Sequence, residues 1–259
     1  MKILLANDDG IEAKGIQVLY NRLIQDSENE VYVIAPDSNR SAVSHHITMS
    51  GGYVMREYKK NQWAISGYPV DCSCLGLTGD FFDFKFDLVI SGINEGANMG
   101  TDIIYSGTCG AARQAVLNGV PAIALSVNPE VWDEEHRKNM KYEALADFAA
   151  KNLKELAALA STQVPRIFVN VNGASLDSYK GVKYCRQLCI RDYGDWLHVD
   201  KAEGENQKEM KVTFMPGGEY PQPEENCDAD VVKNGYIAVS RVYADPLATE
   251  IVDGMQFKL

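Results

Sequence analysis

Apolar positions along this chain follow two rhythms. Short, largely apolar runs recur at Ile3–Ala6, "EVYVIAP" (Glu30–Pro36), "FDLVISG" (Phe86–Gly92), "PAIALS" (Pro121–Ser126) and "RIFVNVN" (Arg166–Asn172). Such runs predict strands buried on both faces. Between them the period lengthens. After Gly15, positions Ile16, Leu19, Tyr20, Leu23 and Ile24 mark an amphipathic helix. "SGTCGAARQAVLNG" reads as another, with Ser106 or Thr108 as N-cap, Ala111, Ala112, Ala115 and Val116 on one face, and Gly119 with Pro121 as the stop. Residues 137–160 predict one longer helix, with Leu145, Phe148, Ala149, Leu153, Leu156 and Ala160 on one side. Strands alternating with helices imply a Rossmann-like α/β fold, a mostly parallel sheet with helices on both faces.

Two regions depart from that alternation. Residues 45–66 predict a hairpin around Gly51 and Gly52, with His45 and His46 as strand residues facing opposite ways. Beyond residue 173 the text turns polar, and "MPGGEYPQPEENCDAD" reads as loop. "GYIAVSRV" (Gly235–Val242) then predicts a late strand. The expectation is one α/β domain over 1–259, with a core at 1–172 and a C-terminal hairpin extension at 173–259 suited to contact a second subunit.

Composition narrows the function classes. Of 259 residues 46% are hydrophobic, enough for a substantial core, and 36 acidic against 25 basic side chains give a net charge of −11. That balance disfavours nucleic acid polymers and anionic membranes as partners. No apolar run reaches the ~18 residues of a membrane span. The start carries no basic region followed by a hydrophobic stretch, so no export signal is expected. Six cysteines at 72, 74, 109, 185, 189 and 227 lack the spacing of a zinc site and read as reduced, buried thiols of a cytoplasmic protein.

In open α/β sheets ligands bind beyond the carboxyl ends of the strands. Collecting the polar residues there gives Asn7, Asp8 and Asp9, then Asp37, Arg40, Ser41, His45 and His46. Later strand ends add Ser91, Asn94 and Asn98 among glycines, and finally Ser106 and Thr108. Two adjacent carboxylates repel each other, and a divalent cation removes the conflict. Hydroxyl and amide oxygens nearby (Ser41, Asn94) make an all-oxygen set suited to Mg²⁺, Mn²⁺ or Ca²⁺. The glycine-rich stretch 92–100 and the "SGT" helix start offer backbone amides to a phosphate, and Arg40 is a candidate to assist. A metal beside a phosphate monoester supports hydrolysis by a metal-activated water, with Asp8 placed to orient it. Singly each motif has a plain reading, an Asx-capped turn or an N-cap. Four clusters at the strand ends of one sheet do not.

"ILLANDDG", "APDSNRSAVSHH", "SGYPVDC", "DLVISGINEGANMG" and "YSGTCGAA", in that order, resemble the SurE family of survival-protein nucleotidases. The resemblance covers essentially the N-terminal two-thirds. It implies a metal-dependent phosphomonoesterase acting on nucleoside 5′-monophosphates, with 3′-nucleotides and polyphosphate ends as further substrates. It also implies one divalent ion held by Asp8, Asp9, Ser41 and Asn94. Asn98, Ser106, Gly107 and Thr108 match the phosphate-contacting elements, and "GYPVDC" the loop and helix start near the nucleoside pocket. The resemblance further implies a homodimer or homotetramer helped by an exchanged C-terminal hairpin. Near "GYIAVSRV" the chain departs from the family, with Arg241 after Ser240 in place of Thr-Pro.

Competing classes fit less well. A phospho-acceptor receiver domain needs an aspartate where "DLVISGIN" has Ser91, and a zinc-dependent sugar deacetylase needs a histidine where Ala6-Asn7 precede the acids. A non-catalytic nucleotide-binding module leaves the paired acids without a role.

Overall fold

The computed structural model describes residues 1–129, 131, 133–186, 188–190, 194–200, 210–215 and 224–246. The chain runs β1 (Lys2–Ala6), α1 (Lys14–Leu23), β2 (Glu30–Pro36), β3 (Met55–Lys59), β4 (Gln62–Ile65) and α2 (Pro69–Thr78). There follow β5 (Leu88–Glu95), a 3-10 turn (Gly100–Ile104), α3 (Gly107–Leu117), β6 (Ala122–Asn128), α4 (Glu134–Lys138), α5 (Glu143–Lys151) and α6 (Leu153–Leu159). The last elements are β7 (Ile167–Ala174), β8 (Val182–Cys185), β9 (Trp196–Asp200), β10 (Lys211–Met215), α7 (Asp228–Lys233) and β11 (Ile237–Tyr243).

Nine strands form one sheet in the order β3-β4-β2-β1-β5-β6-β7-β11-β8. From β4 to β7 all neighbours are parallel, whereas β3 on β4 and β11 on β7 are antiparallel. The apolar runs are buried on both faces because each side chain meets a helix layer. Ile3 and Leu5 point into a core with residues of α1, α5 and α6, and Leu4 and Ala6 into one with residues of α2 and α3. Chain order reverses across β1, with β2 on one side and β5 on the other, which makes the carboxyl ends of β1 and β5 the topological switch point.

Several expectations need correction. The hairpin exists, but its strands are β3 and β4 and it turns at Lys60–Asn61, where Asn61 takes φ +61°. Gly51 and Gly52 lie in the loop before it. His45 and His46 sit in a turn rather than a strand, because Ala42 and Ser44 adopt positive φ (57° and 56°) and coil the segment tightly. The long helix at 137–160 is three helices. The backbone leaves helical geometry at Asn152 (φ −123°, ψ 26°), whose side-chain amide caps the Phe148 carbonyl at 2.8 Å. Gly15 lies inside α1, and Ile24 is its exposed C-cap. Of the loop read at 215–230, residues 216–223 lie outside the described residues, and the "DAD" at its end opens α7.

The sheet does not stop at residue 172, since β11 and β8 extend it. Strands β9 and β10 form a separate antiparallel ribbon, the expected hairpin. All six cysteines are free. Among the described residues no helix is long and apolar enough to cross a membrane.

Candidate metal and phosphate site

β1 ends in a tight turn that presents both acids. Asn7 closes it locally, its amide donating to the Gly10 carbonyl (2.8 Å) while its oxygen accepts from the Gly10 N–H (3.2 Å). That Asx-type closure is the plain reading of the motif, and Asn7 alone carries it. The two acids are free for other work.

Asp8 is 3% exposed and packs on the N-terminus of α3. Its carboxylate accepts from the Thr108 hydroxyl (2.5 Å) and the Thr108 N–H (3.2 Å). Asp9, half-buried, accepts from the Glu95 N–H at 2.9 Å. Burial pushes the Asp8 carboxyl above its ordinary value, against the hydrogen bonds from Thr108 and Gly107 that hold it down. Burial and the neighbouring Asp8 charge push Asp9 up to about 8, opposed by the hydrogen bond from the Glu95 N–H and by Arg137, while the Glu95 charge adds to the rise. Arg137 is itself ion-paired to Glu95. Two carboxyls held together against their own ionisation form a site that a divalent cation would relieve.

Asn94 is 8% exposed on β5, and its side-chain nitrogen donates to the Gly96 carbonyl at 2.7 Å. That leaves Oδ1 as the oxygen available to a cation. Ser41 is exposed in the loop after β2, and its N–H donates to Asn39 Oδ1 at 2.9 Å. The loop is tied to the acids, because the Arg40 N–H donates to the Asp8 carbonyl at 2.6 Å. Asp8, Ser41, Asn94, Asn98 and Ser106 all line one cavity of about 220 Å³, together with Glu95, Asp102 and Tyr105. Among the described residues no three His, Cys, Asp or Glu side chains cluster to hold a metal. The donor set is two carboxylates with amide and hydroxyl oxygens, which fits a hard cation and not zinc.

Ser106 is the N-cap of α3, its hydroxyl accepting from the Cys109 N–H at 3.0 Å. Thr108 is not a cap. Fully buried, it lies in the first turn and spends its hydroxyl on Asp8. Gly107 lies against Asp8, where an added Cβ would fall 2.9 Å from the Asp8 Cβ. Arg40 does not line the cavity. Its guanidinium instead reaches Asp37 and the Ser66 carbonyl, each at 3.4 Å, beside the Tyr68 ring.

Residues missed by the motif reading stand behind Asn98. The Asn98 amide nitrogen donates to Ser126 Oγ (2.8 Å), and its backbone is bracketed by Asn170 and Asn172 of β7. The available signal was polar residues two apart in an otherwise apolar run, "VNVN", which share one face of a strand.

The family model for "Survival protein SurE" matches residues 3–193. A 5′-nucleotidase SurE of Treponema pallidum is 44% identical over 72% of this chain and 97% of its own length. That of Pelotomaculum thermopropionicum is 34% identical over 99% and 94%. The crystal structure of SurE protein from Aquifex aeolicus superposes with a TM-score of 0.74 at 31% identity, covering 95% of this chain and 94% of that one.

Proposed function

The chain belongs to the SurE family, and from that premise we propose that it is a metal-dependent 5′-nucleotidase, releasing phosphate from nucleoside 5′-monophosphates. The observation that carries this reading is the Asp8–Asp9 pair at the end of β1, with the buried Asp8 on the wall of a cavity shared with Ser41, Asn94, Asn98 and Ser106 and the half-buried Asp9 beside it.

In this reading Asp8, Asp9, Ser41 and Asn94 hold one Mg²⁺, Mn²⁺ or Ca²⁺ ion. When bound, the ion polarises the phosphoryl oxygens and lowers the pKa of a water. The protein does the rest. Asn98, Ser106, Gly107 and Thr108 form the phosphate seat, Asn98 and Ser106 from the cavity wall. Gly107 and Thr108 act from behind it by fixing Asp8 at the positive end of α3. Asp8, on the cavity wall, and its neighbour Asp9 are the candidates to hold a proton at the phosphate. A zinc deacetylase places a histidine two positions before such acids, where this chain has Ala6, fully buried in the core and without a ligating atom. Ser91, fully buried in the middle of β5, offers no carboxylate to accept a phosphoryl group, as a receiver would need.

Phosphate release from a panel of nucleotides tests the activity. Turnover is expected only with added Mg²⁺, Mn²⁺ or Ca²⁺ and is expected to vanish on chelation, returning when the ion is restored. Turnover unaffected by chelator rejects the metal reading.

The ribbon of β9 and β10 supports assembly into a homodimer or homotetramer. Leu197, Val199, Val212 and Phe214 fall on one of its faces and all are exposed. A two-stranded ribbon is marginal alone, and an apolar face of this kind needs a partner. A second copy of the chain is the reading that fits. Sedimentation is expected to show a dimer or larger for the wild type and monomer for Leu197→Glu/Phe214→Glu; an unchanged mass for the variant would reject the ribbon as the contact. Six free thiols accord with a reducing cytoplasm.

A further inference from the structure

Asn98 lies in the loop between β5 and the 3-10 turn and has no strand neighbour, yet it is 6% exposed. A buried backbone segment outside the sheet must find partners for its N–H and C=O. Here side chains of β7 supply them. The Asn98 N–H donates to Asn172 Oδ1 (2.8 Å), and the Asn98 carbonyl accepts from Asn172 Nδ2 (3.1 Å) and Asn170 Nδ2 (2.8 Å). The Asn172 amide thus reproduces the two-bond pairing a neighbouring strand would give. On the side-chain end, Asn98 Nδ2 donates to Ser126 Oγ of β6 at 2.8 Å. Asn170 Oδ1 meanwhile accepts from Cys109 Sγ (3.8 Å) in the first turn of α3.

All three supporting residues are at most 1% exposed. They occupy the sheet face that otherwise carries Ala122, Ala124 and Phe168 to the core under α3. Apolar residues there would avoid the cost of burying amides and a hydroxyl. The polar choice makes sense for what it fixes, the loop bearing Asn98 on one side and the helix start bearing Ser106 on the other.

We propose that Ser126, Asn170 and Asn172 are positioning residues, which hold Asn98 and the first turn of α3 in one register so that both grip the same phosphate group. This rests on the reading of Asn98 and Ser106 as the phosphate seat.

The test is a set of double-mutant cycles. Ser126→Ala and Asn172→Ser are each made in the wild type and in Asn98→Ala. Calorimetry then gives the affinity of the Mn²⁺-loaded protein for inorganic phosphate, and kinetics with adenosine 5′-monophosphate give kcat and KM. In the wild-type background each single variant is expected to weaken phosphate binding and lower kcat/KM by about tenfold, since small misplacement of a positioning group is costly. In the Asn98→Ala background neither is expected to have further effect. Losses that persist undiminished without the Asn98 side chain would overturn the proposal, because they would report general structural damage. Ser126→Ala removes a single hydroxyl from a strand interior, so it carries the test if Asn172→Ser proves unstable. A wild type that binds phosphate with this coupling yet releases none from nucleotides supports the positioning role and overturns the nucleotidase reading instead.

Discussion

Replacing Asp9 with asparagine is expected to abolish turnover while making the metal-free protein more stable. The two effects have one cause. In the absence of a cation Asp9 ionises against burial and against Asp8, which raises its pKa to about 8 from 3.8. A carboxyl whose folded pKa is raised holds its proton more tightly in the folded state. Its contribution to stability is therefore complete below the unfolded value of 3.8 and is lost as pH rises to about 8. Asparagine is neutral throughout and keeps an oxygen for the Glu95 N–H. Under chelation, Asp9→Asn is thus expected to melt higher than the wild type at pH 8, with the gap closing toward pH 4. Activity moves the other way. Loss of a metal ligand removes several kcal/mol of transition-state stabilisation, and about 4 kcal/mol corresponds to roughly 10³-fold in rate. Thermal melts with and without Mn²⁺, alongside phosphate release, decide it. Equal Mn²⁺-induced stabilisation of wild type and variant would remove Asp9 from the metal site.

Gly15→Ala is expected to cause a large loss of stability from a single methyl group. Gly15 is buried in α1 where that helix crosses the end of β5, and an alanine Cβ there would lie inside 3.0 Å of the Ile93 carbonyl oxygen. Backbone cannot yield as a side-chain tip does, so α1 or β5 must move. Overpacking of this kind costs about 1–3 kcal/mol. The better helix propensity of alanine returns less than about 1 kcal/mol, and less still in the first turn. The clash wins. A fall in Tm of about 2–4 °C per kcal/mol lost follows. Because Ile93 immediately precedes Asn94, Mn²⁺ affinity is expected to fall as well. A titration showing wild-type affinity and an unchanged melt would mean that α1 does not buttress the site.

The strands at Ile3–Ala6, Glu30–Pro36 and Pro121–Ser126 were legible because a strand covered on both faces must be apolar at every position. The parallel sheet followed from helices lying between them. Asp8, Asn94, Asn98 and Ser106, which share one cavity, were singled out by a different route, as polar residues where apolar runs stop, and Asp9 with them as the neighbour of Asp8. Less visible was the division of labour among them. Thr108 read as a candidate cap and is none, its hydroxyl going to Asp8, and Arg40 read as a candidate to assist at the phosphate while its guanidinium lies beside Tyr68. Nothing in a one-dimensional pattern says which way a side chain turns. The helix read over 137–160 failed similarly, since its apolar period survives two breaks that depend on where α5 and α6 must each meet the sheet.

By itself, then, the sequence determined the layering of this protein and the chemistry gathered at its strand ends, because burial and charge write themselves into composition and period. The convergence was decided only in three dimensions. Residues 8, 41, 94, 98 and 106 share one cavity because the chain reverses direction across β1, and Asn98 is fixed by asparagines more than 70 positions away. Those are contacts of topology, which no local rule of spacing contains.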